Sequence, residues 1–477
     1  MLIRDRFSLQ ATANKYRGTK TDRKKGEIAL PLLYSRGSSG EVQICGLPAR
    51  SLASTAALNT GIALSPFSRD QLTREAALLT FCDPLPEQCY RLQNLSEKEW
   101  KKLLNWLDIS GLTLYFLDRI MELHLCNMLP PGVLARLQQN LRDNIERTRG
   151  MIAESIAIQQ EFQETCLCYA TLKGFSFCPS SVPRPELRHQ FDLDFLVAEK
   201  SASQARQILE RRGYRPYAIS GRSWEFKINE TPRVSMKDLY KDLPGRSVEL
   251  HVEANIPGRS SLLERLEKRE FYGIHMPVLS PVDLFLGQGL HVYKHVYSEF
   301  SRTAHLLEFR RHVMVRREDD AFWDELQSTA RENPRASLGL GVVTLLITRV
   351  MGDFAPDAFT HWTVGRLPRS ARLWVELYGH RAVFQNFPGS KLYLLLQREL
   401  ESVGVLAKRS LWQALLPSRL PPAVIRASAD ETLPVRIRRY RMQLDFILSR
   451  LRFHIVEGLR YTLESYRWRQ YMNRFTQ

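Results

Sequence analysis

The sequence predicts an α+β protein in which a small mixed β-sheet core is flanked by N- and C-terminal α-helical domains. Three features point to it. Apolar residues recur at helical spacing through residues 66–164, the period changes to alternation in short segments within 165–278, and helical spacing returns from residue 279 onward. The chain of 477 residues exceeds the size of one ordinary domain. Its 44% hydrophobic and 25% charged residues are the composition of a packed globular protein, not of a disordered or collagenous one.

Residues 1–65 read as a poorly ordered basic leader, with Arg23-Lys24-Lys25 followed by the Ser/Gly-rich stretch Ser35–Gly40. The helical region 66–164 opens twice with the same device. Ser68 with Gln71 and Ser96 with Glu99 each place a capping serine three residues before a side chain that can answer it. Trp100, Leu103, Leu104 and Leu107 then fall on one helical face. Pro130-Pro131 interrupts the run, and Leu134–Glu164 follows as a long helix with Leu137, Leu141, Ile145, Ile152 and Ile156 along one side.

Within 165–278 the elements shorten. Residues 166–175 are a mostly apolar strand broken by Gly174, and residues 191–197 alternate acid with apolar side chains. Ala202–Arg212 reads as a helix closed by Gly213, and residues 247–253 form a further alternating strand. Beyond Leu279, Ser280-Pro281 with Asp283 is a strong helix opening, because proline in the first turn loses no hydrogen bond and an acid suits the positive end. Helices are expected at 281–298, 303–315, 319–331, 337–350, 370–384 and 390–401, within a helical domain spanning 279–415. A linker and an Arg-rich amphipathic helix complete the chain over 416–477.

Lys and Arg number 68 against 51 Asp and Glu, a net charge of +17. Residues 1–50 carry ten basic and four acidic residues, residues 435–477 ten and three, so the body between them is close to balance. The C-terminal stretch offers a stripe of Ile437, Tyr440, Leu444, Ile447, Leu451, Ile455, Leu459 and Leu463, expected to be a packing seam. Its arginines, interleaved with Tyr461, Tyr466, Trp468 and Tyr471, suit RNA or an anionic membrane, or simply form a solvated face. Seven cysteines, an odd number in a chain with ample core, fit a reducing compartment, and Cys166 and Cys168 have the wrong spacing for a zinc knuckle. The longest apolar stretch, around Leu338–Ile347, is too short to span a bilayer of roughly 30 Å, and the start resembles no signal peptide; a cytoplasmic protein is expected. His291 and His295 lie one helical turn apart and could share a metal, though no third ligand is evident from the sequence.

The chemistry concentrates in Phe191-Asp192-Leu193-Asp194-Phe195-Leu196-Val197. Side chains two apart on a strand share a face, so Asp192 and Asp194 project together while Leu193 and Phe195 turn to the core. Two adjacent carboxylates repel unless a cation lies between them, and an all-oxygen set suits magnesium or manganese. On the strand at 247–253, Val248, Leu250 and Val252 point one way and Glu249, His251 and Glu253 the other. Glu249 would supply a third carboxylate, and three carboxylates holding two ions suit in-line displacement at phosphorus. The plainer alternative is a solvated strand edge.

Leu172-Lys173-Gly174, Leu187-Arg188, the Asp192–Val197 strand, the helix ending in Gly213-Tyr214, and Val248-Glu249-Leu250-His251 together resemble a family of uncharacterised bacterial nucleotidyltransferases of the DNA polymerase beta-like superfamily. Ser280-Pro281, His291 and His295 extend the resemblance, which covers roughly residues 70–330, with Gly174 lying 18 residues before Asp192. The resemblance implies a nucleotidyltransferase core at 165–278 that moves a nucleoside monophosphate from a nucleoside triphosphate such as ATP to a hydroxyl and releases pyrophosphate. Asp192, Asp194 and Glu249 would be the catalytic, metal-binding residues for Mg2+ or Mn2+, and Lys173, Gly174 and Arg188 the nucleotide contacts. Glu249 could also accept the hydroxyl proton. His251 would stand behind the metal ligands or pack as a half-buried ring. The acceptor could be a small molecule, an RNA or a protein. A different class is a non-catalytic adaptor of the same fold that binds nucleic acid or anionic membrane through its basic ends. The chain departs from the superfamily pattern in having Gly174-Phe175 where Gly-Ser is usual, with Ser176 displaced by one. Pro179, Pro183 and Pro185 shorten any helix after the glycine.

Overall fold

Both serine signals cap helices. In the computed structural model, which describes residues 67–476 apart from 230–235, 237, 255–259, 332, 402–410 and 416–431, the Ser68 side chain accepts from the Gln71 amide and the Gln71 side chain answers Ser68. This opens α1 (Arg69–Leu79). The Ser96–Glu99 pair opens α2 (Glu97–Ser110) in the same way, and Gly111, with φ +78°, ends it. Trp100, Leu103, Leu104 and Leu107 are buried. After α3 (Thr113–Glu122), α4 runs unbroken over Pro131–Glu164, 34 residues with proline in its first turn. The leader 1–65 and most of the expected linker lie outside the described residues.

The core is a seven-stranded mixed sheet in the order β3-β4-β5-β2-β1-β7-β6. Its strands are β1 (Tyr169–Leu172), β2 (Asp192–Ala198), β3 (Arg215–Ser220), β4 (Ser223–Ile228), β5 (Arg246–Glu253), β6 (Leu266–Phe271) and β7 (Ile274–Leu279), with α5 (Ala202–Arg211) between β2 and β3. Strands β2 and β5 are parallel, as are β1 and β7; the other neighbours run antiparallel. The expected alternation is realised in β2 and β5. Leu193, Phe195, Val197, Val248, Leu250 and Val252 share one buried cluster with Ile152, Ile158 and Phe162 of α4 and Ala205, Ile208 and Leu209 of α5. The acidic side chains therefore occupy the opposite face. Strands β3, β4, β6 and β7 were not anticipated by the sequence reading, and they widen the sheet on both sides.

Beyond the sheet, Ser280 caps α6 (Pro281–Val296), and α7 (Thr303–Val315), α8 (Asp320–Arg331) and α9 (Pro334–Met351) follow. The N- and C-terminal helical regions share one hydrophobic core: Arg74 of α1 donates to the Phe384 carbonyl at 2.6 Å, and Trp106 lies against Phe384.

The last helix, Leu433–Thr476, departs from expectation in orientation. Ile437, Tyr440, Leu444, Leu451, Ile455, Leu459 and Leu463 are each more than half exposed. Phe453, Glu457, Tyr461 and Trp468 are the buried ones, with the Trp468 indole donating to Glu399. The helix docks by an aromatic seam, and the aliphatic stripe faces outward.

Candidate active site

The site begins where β1 ends. Lys173 and Gly174 both adopt left-handed backbone, φ +50° and +40°, and turn the chain sharply into a single 3-10 turn, Gly174–Phe177. The amide and hydroxyl of Ser176 both donate to the Lys173 carbonyl at 2.8 Å, which locks that turn. A Cβ on Gly174 would meet the Gln190 side-chain oxygen at 2.6 Å, so a larger residue must displace the Gln190 amide and also adopt left-handed backbone. No α-helix follows, as the three prolines imply.

The turn delivers Lys173 to the acidic face. Its Nζ lies 2.6 Å from Asp194 Oδ1 and 3.8 Å from Glu249. Asp194 and Glu249 are register partners on the parallel strands β2 and β5, which is why two residues distant in sequence share one cation. His251, two residues along β5 on the same face, lies 2.9 Å from Asp194 and 3.5 Å from Glu249 through Nε2. The Ser223 hydroxyl, on neighbouring β4, donates to Glu249. One donor atom from each of Asp194, Glu249 and His251 fits within 4.8 Å of the others. Asp192 stands on the same face outside that tight group.

Charge explains the titration of the cluster. Burial alone would lower His251, but hydrogen bonds to Asp194 and Glu249 raise it to about 9, so the ring is a protonated donor at neutral pH. Burial opposes ionisation of Asp194, yet the Lys173 charge and the His251 hydrogen bond hold its carboxyl below the ordinary range. Glu249 is likewise lowered, against burial, chiefly by His251. Asp192 goes the other way: burial and the Asp194 charge push it up to about 7. Burial of Asp192 beside the Asp194 charge leaves three carboxyls crowded on one face, an oxygen-rich set that fits a divalent cation, with Asp194 and Glu249 as ligands and Asp192 beside them.

Arg188 is near Asp192, but its guanidinium is committed: Nε lies 3.1 Å from Glu308 on α7, which also accepts the Tyr115 hydroxyl at 2.9 Å. Arg302 sits alongside, bonded to His189 at 2.9 Å. Glu308, Gln190 and Ser223 were missed in the sequence reading. Only Ser223 carried a signal, because SWEFKI alternates polar and apolar residues over six positions.

The carboxylates thus gather on the face of the mixed sheet opposite α4 and α5, in a chain of the nucleotidyltransferase-like class. The family model described as "Uncharacterised nucleotidyltransferase" matches residues 96–352, more than half of the chain, and the chain belongs to that family. No curated protein matches it. Among solved structures it is similar to an antigenic nucleotidyltransferase-like protein from Paracoccidioides brasiliensis, at 13% identity over 45% of this chain and 97% of that one. The TM-score of 0.27 is too low for that likeness to bear on fold or function. Among the described residues, no helix is long and apolar enough to cross a membrane.

Proposed function

We propose that the protein transfers a nucleoside monophosphate from a nucleoside triphosphate to a hydroxyl acceptor with release of pyrophosphate, dependent on Mg2+ or Mn2+. The observation that carries this is the register pairing of Asp194 with Glu249 on parallel strands, with the Lys173 ammonium held against both. A divalent ion held there would neutralise charge on the transferring phosphoryl oxygens, the dominant requirement of this chemistry.

The chain's own residues divide the remaining work. Lys173 supplies a cation at the turn where the phosphates would lie, and Gly174 keeps that turn free of a side chain. Arg188, held by Glu308, places fixed positive charge beside Asp192. Glu249, kept ionised and oriented by Ser223 and His251, is the group that accepts the hydroxyl proton. His251 acts by orienting Asp194 and Glu249.

The test is incubation of the purified protein with labelled nucleoside triphosphates and magnesium, beside the Asp192→Asn and Asp194→Asn variants. Pyrophosphate release that depends on both carboxylates is expected. Release or nucleotide binding indifferent to them removes the assignment.

A second role, an adaptor that binds an anionic surface through its C-terminal helix, is favoured by the outward stripe of Leu444, Leu451, Ile455 and Leu459 beside exposed arginines. Replacing Leu451 and Leu459 by Ser leaves the docked aromatic seam intact. It should abolish binding to anionic vesicles without altering turnover if this role is real.

A further inference from the structure

Near the carboxylate cluster but made of other residues, three imidazoles meet. His291 and His295 are on successive turns of α6, and His305 is in the first turn of α7. Their ring centroids lie 4.7 Å (His291–His295), 5.2 Å (His291–His305) and 4.7 Å (His295–His305) apart. One ring nitrogen from each falls within 4.8 Å of the others. The pair on α6 was visible in the sequence, and the fold supplies the third member that the sequence could not show.

We propose that His291, His295 and His305 form a three-nitrogen site for a divalent transition metal, with zinc the best-matched ion, separate from the carboxylate site.

Several observations support it. Nδ1 of His305 is buried with no hydrogen-bond partner, a state that a ligand relieves. Burial, joined by neighbouring histidines and cations, holds all three rings below the ordinary imidazole range, His295 at about 3. Each is therefore neutral and carries the free lone pair that coordination needs. Zinc accepts three histidines and leaves a fourth position open, whereas magnesium prefers oxygen, so magnesium does not compete for the three rings. A tetrahedron with ~2.05 Å bonds has edges of ~3.3 Å, so nitrogens that lie within 4.8 Å of one another need to close by no more than about 1.5 Å on binding. Small side-chain rotations suffice, because His291 and His295 are only half-buried. Lys294, Lys173, Arg188 and Arg302 all impose positive charge on one or more of the rings, so a bound dication needs an anionic or hydroxide fourth ligand to offset their repulsion.

The site is independent of the nucleotidyl-transfer assignment, and its test needs no turnover. The full chain is stripped with a chelator and titrated with ZnCl2, then with CoCl2, without magnesium or nucleotide. One equivalent of zinc should bind, and bound cobalt should show the intense visible bands of a low-coordinate nitrogen site. His291→Gln, His295→Gln and His305→Gln should each weaken zinc by about tenfold or more, while Asp194→Asn binds it like the parent. Circular dichroism melts of the metal-free variants separate lost ligation from lost folding. If His305→Gln fails to fold, the two half-buried positions carry the test. Absence of stoichiometric zinc, binding indifferent to the histidine variants, or binding lost in Asp194→Asn would each overturn the site.

Discussion

Lys173 Nζ sits 2.6 Å from Asp194 Oδ1, so the protein's own ammonium occupies ground that a divalent ion would contest. Lys173→Met removes that competitor. Manganese affinity, followed by electron paramagnetic resonance, should rise about tenfold or more, while pyrophosphate release falls because the phosphates lose a cation. Unchanged manganese affinity would show that Lys173 does not stand in the ion's place.

His251 makes the metal-free protein sensitive to alkaline pH. Its folded pKa of about 9 lies above the ordinary 6.5, so the stability it contributes is complete below pH 6.5 and is lost as pH rises through about 9. The loss should reach up to about 3 kcal/mol. Denaturant titrations with chelator present, between pH 6 and 10, should show this slope in the parent and its disappearance in His251→Gln.

Gly174→Ala places a methyl against Gln190 and forces a side-chain-bearing residue into left-handed backbone. A stability loss of about 1–3 kcal/mol is expected, with weaker triphosphate binding as the turn shifts Lys173. Thermal melts and nucleotide titration measure the two effects separately. Gly174→Ala with parental values in both would show the turn to be permissive.

Phe195 tests the support behind the acids. It is fully buried, with edge contacts to Phe162 at 5.5 Å and Tyr169 at 6.1 Å, on the face opposite Asp194. Phe195→Ala should cost about 3–5 kcal/mol, read as a lower denaturation midpoint.

Much of this was legible because local chemistry and global packing agreed. The serine caps at Ser68 and Ser96 work within four residues, so nothing distant could override them. The alternation at Asp192–Val197 and Val248–Glu253 reflects a sheet buried on one face by α4 and α5, and a one-residue slip would have inverted it. Strand β3 was missed because most of its residues are exposed, leaving no apolar pattern. Strands β6 and β7 join through Tyr272 and Gly273, both at positive φ, a turn without the usual Asn or Asp signal. Periodicity in the last helix showed an apolar stripe but not which side would be covered. Phe453, Tyr461 and Trp468 outcompeted the aliphatics for the protein surface. His305 and Ser223 act through tertiary placement, which spacing alone does not encode.

The parallel pairing of β2 with β5 bears on how the protein is made. Parallel neighbours cannot be joined by a tight turn, so α5 and the β3–β4 hairpin must emerge from the ribosome between Asp194 and Glu249. Closing that loop carries an entropic cost that is recovered only when the whole strand docks. A nascent chain that stops short of Arg246 has two of the three carboxylates, on a strand paired only with β1, and lacks Glu249 and His251. The acidic cluster is thus a product of completed folding, and it appears only once synthesis has passed the strand that closes it.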